Sequence, residues 1–266
     1  MQTIHASDGT QLTYDRDGTG QPLCLLHGGM APPEYWAPVR RELENYATIV
    51  PQRPGFGTCL DDQTETGPDD VLDREVASVR DLVDGLDDEP ILFGHSYGAL
   101  TAIEVAREAP VTAVVAYEPA ILPEPYRAEA DLADRMERLL EAGRHREAVK
   151  RYVELVLHPD GIDDLDAWLA EWPPWPDCVE LAEEVLRMNR AVERYRLPDR
   201  LDVDVPVLVL SGTAGPDFLR ESARSVHDAL PHSRFVEFDG LGHGGPASAP
   251  RRVVGAVESF LDDRTP

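Results

Sequence analysis

Short β-like runs, unbroken and apolar in the central ones, recur along the chain at helix-length intervals, and this alternation constrains the fold more than any other feature. They lie at 22–27 (PLCLLH), 47–52 (ATIVPQ), 90–93 (PILF), 112–117 (TAVVAY), 205–210 (VPVLVL) and 233–238 (SRFVEF). A strand with one wet face alternates apolar and polar residues, whereas a continuous Val/Ile/Leu run is covered on both faces. Amphipathic stretches near 34–45, 70–86, 98–109, 217–230 and 249–262 read as helices. Strands alternating with helices predict an α/β fold around a mainly parallel sheet. Residues 2–5 and 11–15 read as a hairpin turning at Asp8-Gly9, and 266 residues suit one large domain or one domain with a lid.

The alternation breaks once. Between about 120 and 200 no strand-like run occurs, and helical periodicity dominates in DLADRMERLLEAG and VELAEEVLRMNRAVERY. The expected division is a core of 1–119 and 201–266 with a helical lid of 120–200. That segment holds Trp168, Trp172 and Trp175. Pro173, Pro174 and Pro176 make its middle stiff rather than helical.

Three short motifs carry chemistry. Gly94-His95-Ser96-Tyr97-Gly98 is a G-x-S-x-G pentapeptide between an apolar run and a helical pattern. A serine on a sharp strand-to-helix turn needs small residues two positions to either side, where the backbone crowds its neighbours. His27-Gly28-Gly29-Met30 follows the run at 22–27. Acyl transfer needs two N–H donors aimed at the developing oxyanion. The N–H of Gly29, with Met30 next in preference, and that of Tyr97 are the expected pair. His27 reads as a loop anchor. His243, in Asp239-Gly240-Leu241-Gly242-His243-Gly244, follows the last apolar run on a glycine-flanked turn, where a general base for Ser96 is expected.

With these motifs in this order, the chain resembles the α/β-hydrolase superfamily in its lidded, single-domain form. Gln52-Arg53-Pro54-Gly55-Phe56-Gly57 looks like that family's Asp-Arg-x-Gly-x-Gly turn, with Gln52 in place of the usual Asp. The resemblance covers nearly all of the chain outside 120–200. It implies a mainly parallel eight-stranded sheet flanked by helices, with the lid inserted after the sixth strand. It also implies Ser-acid-His chemistry without a metal or cofactor.

The acid departs from the family pattern. Its usual position, after the strand that follows the lid, falls near Gly215 in Gly212-Thr213-Ala214-Gly215-Pro216-Asp217-Phe218, and glycine cannot serve. Asp217 is two residues late, where a helix N-terminus also favours a carboxylate. Glu118 ends the apolar run before the lid, and some branches of the family supply the acid from that strand end. Both keep the order Ser, acid, His. We favour Glu118.

Met30, Tyr35, Trp36, Trp168, Trp172 and Trp175 are the expected substrate-contacting residues, because Trp and Met line apolar pockets. The tryptophans have a plainer reading as glue between lid helices. The expected activity is hydrolysis of a small or medium carboxylic ester through an acyl-enzyme. A weakly catalytic ligand-binding or signalling protein on the same fold is the alternative, since fold does not fix function. Carbon–carbon bond hydrolases and thioesterases share the same triad.

Cys24, Cys59 and Cys178 form neither a CxxC motif nor a disulfide framework. No apolar stretch approaches the roughly 18 residues of a membrane span. The start of the chain lacks a signal-peptide pattern, so a cytoplasmic location is expected. The charge is −25, from 50 acidic against 25 basic residues, and Lys150 is the single lysine. Such a field repels nucleic acid and anionic membranes, leaving a small-molecule ester as the expected partner. Paired carboxylates such as Asp61-Asp62, Asp69-Asp70, Asp87-Asp88 and Asp163-Asp164 read as solvated loops or helix ends, with no metal site. Codon usage in a GC-rich genome explains missing lysines but not excess carboxylates. We therefore read the composition as acidic, halophilic adaptation to molar salt, where self-repulsion is screened. Thermal melts should show the fold losing stability below about 0.5 M KCl; equal midpoints at low and high salt would refute that reading.

Overall fold

The computed structural model describes residues 1–5, 11–53, 71–128, 130–158 and 161–263. The Asp8-Gly9 turn, Cys59, Asp61-Asp62, Asp69-Asp70 and the Pro54-Gly55-Phe56-Gly57 part of the family-like turn lie outside them.

Eight strands form one sheet: β1 (Gln2–His5), β2 (Gln11–Asp17), β3 (Gln21–Leu26), β4 (Tyr46–Pro51), β5 (Ile91–His95), β6 (Ala113–Tyr117), β7 (Val207–Gly212) and β8 (Ser233–Phe238). Their order across the sheet is β1-β2-β4-β3-β5-β6-β7-β8. β2 pairs antiparallel with β1 and β4; every pairing from β4 through β3 to β8 is parallel.

Successive residues of the central strands enter opposite cores. Cys24 and Leu26 of β3, Leu92 of β5, Val114 and Ala116 of β6 and Val209 of β7 face one side. Leu23, Leu25, Phe93, Val115, Tyr117, Leu208 and Leu210 face the other. Both faces are apolar because both are covered, so these strands read as unbroken runs. Cys24 is fully buried, and burial pushes its thiol up to about 12. It packs as a small apolar residue, away from any reactive role.

The helices of the core are α1 (Ala37–Arg40), α2 (Val71–Asp84) and α3 (Tyr97–Ala106), then α9 (Asp217–Ala229), α10 (Gly245–Ser248) and α11 (Pro250–Asp262). The helix predicted over 34–45 is shorter. A single 3₁₀ turn at Pro33–Trp36 leads into α1, which ends at Arg40. Leu43 is buried, and i→i+3 bonds at Glu42, Leu43 and Tyr46 turn the chain into β4 instead.

Between β6 and β7 the chain is helical, as its periodicity predicts: α4 (Glu124–Arg127), α5 (Leu132–Glu141), α6 (His145–Tyr152), α7 (Leu165–Glu171) and α8 (Ala182–Arg194). Their apolar faces, including Leu132, Met136, Val149, Leu169 and Val185, join the core on the α2–α3 side of the sheet. Among the described residues no helix is long and apolar enough to cross a membrane.

Candidate active site

Ser96 sits between β5 and α3 with φ 57° and ψ −119°, a conformation that L-residues rarely adopt. Its neighbours hold it there. A Cβ on Gly98 would lie 2.2 Å from the Leu26 carbonyl of β3, and one on Gly94 would lie 2.2 Å from the Gly98 carbonyl. Both positions therefore require glycine for close backbone approach. The Ser96 N–H donates to Tyr117 O at 2.9 Å, and its carbonyl accepts from Ala120 N at 3.0 Å. The turn is thus tied to the end of β6.

The residue after β6 is Glu118, and it too has a positive φ, 42°. Its carboxylate is fully buried. Oε2 lies 2.7 Å from His243 Nδ1, while Oε1 accepts from the Ser211 hydroxyl at 3.1 Å and from Gly212 N–H at 3.0 Å. A buried charge needs such donors, because leaving it unpaired costs several kcal/mol. With Nδ1–H donated to Glu118, the lone pair of the imidazole sits on Nε2.

The alternative carboxylate is placed differently. Asp217 opens α9, its side chain is largely exposed, and it pairs with Arg220 at 3.1 Å. The structure brings Glu118, not Asp217, to His243. A Cβ on Gly215 would sit 2.7 Å from Glu118 Oε1. The Glu118 carboxylate therefore fills the space that a side chain at 215 would use.

The loop bearing His243 is pinned at three successive carbonyls. Ala214 N–H donates to Leu241 O at 2.9 Å, Tyr117 Oη to Gly242 O at 2.8 Å and His95 Nε2 to His243 O at 2.8 Å. His95, the second residue of the pentapeptide, was not marked as functional by its sequence. Its ring lies between Tyr35, at 4.8 Å, and His243, at 4.5 Å. Burial, reinforced by His243, holds its pKa well below the usual histidine value, so it remains neutral. A carbonyl acceptor at Nε2 places the proton there.

Two cavities meet at Ser96. One, of about 450 Å³, runs between Ser96, Tyr97, Leu132, Met188, Glu193 and Phe218. The other, of about 670 Å³, is bounded by Met30, Tyr35, His243, His158, Trp168 and Trp172. Gly29, Ser96, Tyr152 and Val156 belong to both. Trp168 and Trp172 stack at 5.4 Å, with His158 edge-on to Trp168. Two expected contact residues are elsewhere. Trp36 is fully buried against Phe93 in the opposite core, because the 3₁₀ turn points it inward. Trp175 lines neither cavity and lies under the Arg146 guanidinium at 4.3 Å. Tyr152, which packs over Gly29, carried no sequence signal beyond its place in a helical stretch. Among the described residues no group of three or more His, Cys, Asp or Glu could hold a metal ion.

The chain belongs to the alpha/beta hydrolase family, whose model matches residues 25–256. It is 24% identical to an (E)-2-((N-methylformamido)methylene)succinate hydrolase of Acinetobacter baylyi, with 98% of each chain covered. It is 27% identical to a putative non-heme bromoperoxidase of Mycobacterium tuberculosis, covering 94% of this chain and 97% of that one. Among solved structures, an alpha/beta hydrolase from Sphaerobacter thermophilus superposes with a TM-score of 0.81 at 25% identity, over 98% of this chain and 100% of that one.

Two buried histidines give the fold a pH dependence. Burial, reinforced by the Arg53 charge, pushes His27 down to about 3, and His95 is depressed in the same direction. Below about pH 6.5 the unfolded chain takes up these protons and the folded one does not. Stability is present above 6.5 and is lost as pH falls toward 3, by about 1.4 kcal/mol per pH unit for each histidine. Melts in molar KCl between pH 7 and 4.5 should show this decline. The His27→Gln/His95→Gln variant should show a flatter one; an unchanged slope would contradict the assignment.

Proposed function

We propose that the chain is a serine hydrolase of small or medium, uncharged carboxylic esters. The observation that carries the reading is the buried 2.7 Å bond from His243 to Glu118, beside a strained Ser96 at the junction of two cavities. In this mechanism Ser96 Oγ attacks the ester carbonyl and His243 Nε2 takes its proton. The oxyanion rests on the N–H groups of Gly29 and Tyr97; the latter opens α3, where helix geometry leaves an N–H without an intrahelical partner. The imidazolium returns the proton to the departing alcohol. Water, activated by the same imidazole, then attacks the acyl-enzyme and releases the acid. Glu118 orients the ring and stabilises its charged form without taking the proton. The helices between β6 and β7 act as the lid, since they supply one wall of each cavity.

The cavity linings support the substrate class. They carry the carboxylates Glu34, Asp131, Glu193 and Asp217, and no Lys or Arg among the described residues. Glu193 is itself held upward in pKa by burial. An anionic arm would find no counter-ion there and would face a protein of charge −25. A succinate derivative, like that in the name of the Acinetobacter relative, is therefore a poor fit.

Fluorophosphonate labelling in molar KCl should give an adduct on Ser96 by mass spectrometry; folded protein that stays unlabelled would count against an activated serine. Glu118→Gln should lower kcat by about 10²–10⁴, with Asp217→Asn near wild type; the reverse ranking would assign the acid to Asp217. Neutral p-nitrophenyl esters should exceed the matching hemisuccinate in kcat/KM by about tenfold or more. Equal values would remove the charge argument.

A further inference from the structure

Beneath the loop that follows β3 lies a buried ion pair that the hydrolytic steps do not use. Arg53 follows β4, and Glu75 projects from α2; both are almost wholly inaccessible. Arg53 Nε donates to the Glu75 carboxylate at 2.8 and 3.0 Å, and Nη2 bonds the same group. Nη1 donates to the Gly28 carbonyl at 3.1 Å. Nη2 also lies 2.7 Å from Met188 Sδ on α8, and the guanidinium carbon stands 4.7 Å over the Tyr97 ring.

Stability alone gives a weak reason for such a pair, because apolar residues of similar volume often serve as well or better. The Gly28 contact supplies another. Gly28 and Gly29 have no Cβ, so their shared peptide can turn either way at little steric cost. That peptide is planar and trans, so its C=O and N–H point in opposite directions. Gly29 lines both cavities and Arg53 lines neither. A carbonyl held on the Arg53 side therefore sends the Gly29 N–H toward Ser96. A cation on the carbonyl also polarises the amide and strengthens its N–H as a donor. The same carbonyl accepts from His27 Nδ1 at 3.1 Å and, longer, from Ala31 N at 3.4 Å, but neither is charged: His27 stays neutral.

We infer that Arg53, held by Glu75, is a positioning residue that locks the Gly28–Gly29 peptide with its N–H facing Ser96. This rests on the hydrolase reading for its kinetic consequence, though not for its geometry. The guanidinium thus bears on both proposed oxyanion donors: on Gly29 through the carbonyl of the preceding Gly28, and on Tyr97 through its ring.

Two variants test it. Arg53→Lys keeps a cation for Glu75 but lacks the fork needed to reach Gly28 as well. Arg53→Met/Glu75→Leu removes both charges together and leaves no orphan. In each, kcat should fall by about 10–100-fold with KM nearly unchanged. A trifluoromethyl ketone, which forms an oxyanion on Ser96, should lose affinity by a similar factor, and the product alcohol should not. Wild-type kcat in folded Arg53→Lys would overturn the inference, even if the double variant failed to fold. Equal loss of ketone and alcohol affinity would also overturn it, by showing a general distortion of the pocket. A readout independent of catalysis is the ¹⁵N-glycine spectrum. The Gly29 amide resonance should move in Arg53→Lys while distant glycines stay in place, and a stationary Gly29 would overturn the lock. A moving Gly29 in a protein whose Ser96 never reacts with fluorophosphonate would leave the lock standing and sink the hydrolase reading instead.

Discussion

At the turn after β5 the backbone of α3 lies closer to β3 and β5 than any side chain would permit. The 2.2 Å approaches at the absent Cβ positions of Gly94 and Gly98 fix where α3 starts and which way it leaves the sheet. Ser96 is forced into a left-handed conformation as a result. The bonds that stabilise it reach across to Tyr117 and Ala120, so the end of β6 is set by the same packing. His95 and Tyr117 are register partners, and the residues that follow them, Ser96 and Glu118, are the two non-glycine residues of positive φ among those described. Backbone strain is concentrated at adjacent strand ends, where the surrounding core over-determines it.

The third group of the site arrives differently. His243 lies on a short loop rather than a strand, so its position depends on what grips that loop. The gripping atoms come from three neighbouring strand ends: Ala214 beyond β7, Tyr117 of β6 and His95 of β5. Each holds one carbonyl of the consecutive residues Leu241, Gly242 and His243. A loop held at three points behaves as an extension of the sheet, as a site with tight geometric demands requires.

Much of this was legible in the chain because it rests on local chemistry. Ser96 and His243 announce themselves by glycines at fixed offsets. Glu118 is visible because a lone carboxylate ends an apolar run. The sheet follows from runs that are apolar on both faces. What escaped depends on residues far apart in sequence. No local pattern shows that Arg53 reaches Gly28 and Glu75, or that His95 caps the His243 carbonyl. Aromatic residues were ambiguous for a related reason: Trp36 and Trp168 look equally suited to a pocket, and only the packing direction of their helical turns separates core from cavity wall. The helix expected over 34–45 stops at Arg40, because burial of Leu43 and the approach to β4 outweigh helical periodicity beyond it.

The contact between Gly215 and Glu118 also limits the evolutionary routes open to such a site. A Cβ at 215 would sit 2.7 Å from the carboxylate oxygen of residue 118, so the two positions compete for one volume. They cannot both carry an acid without displacing one another or sharing a proton between adjacent buried carboxyls. A lineage that moves the acid from one strand end to the other must therefore pass through a form with neither, or through one in which the two acids hinder each other. Substitutions at 118 and 215 are bound to be epistatic: the residue tolerated at either depends on what already occupies the other.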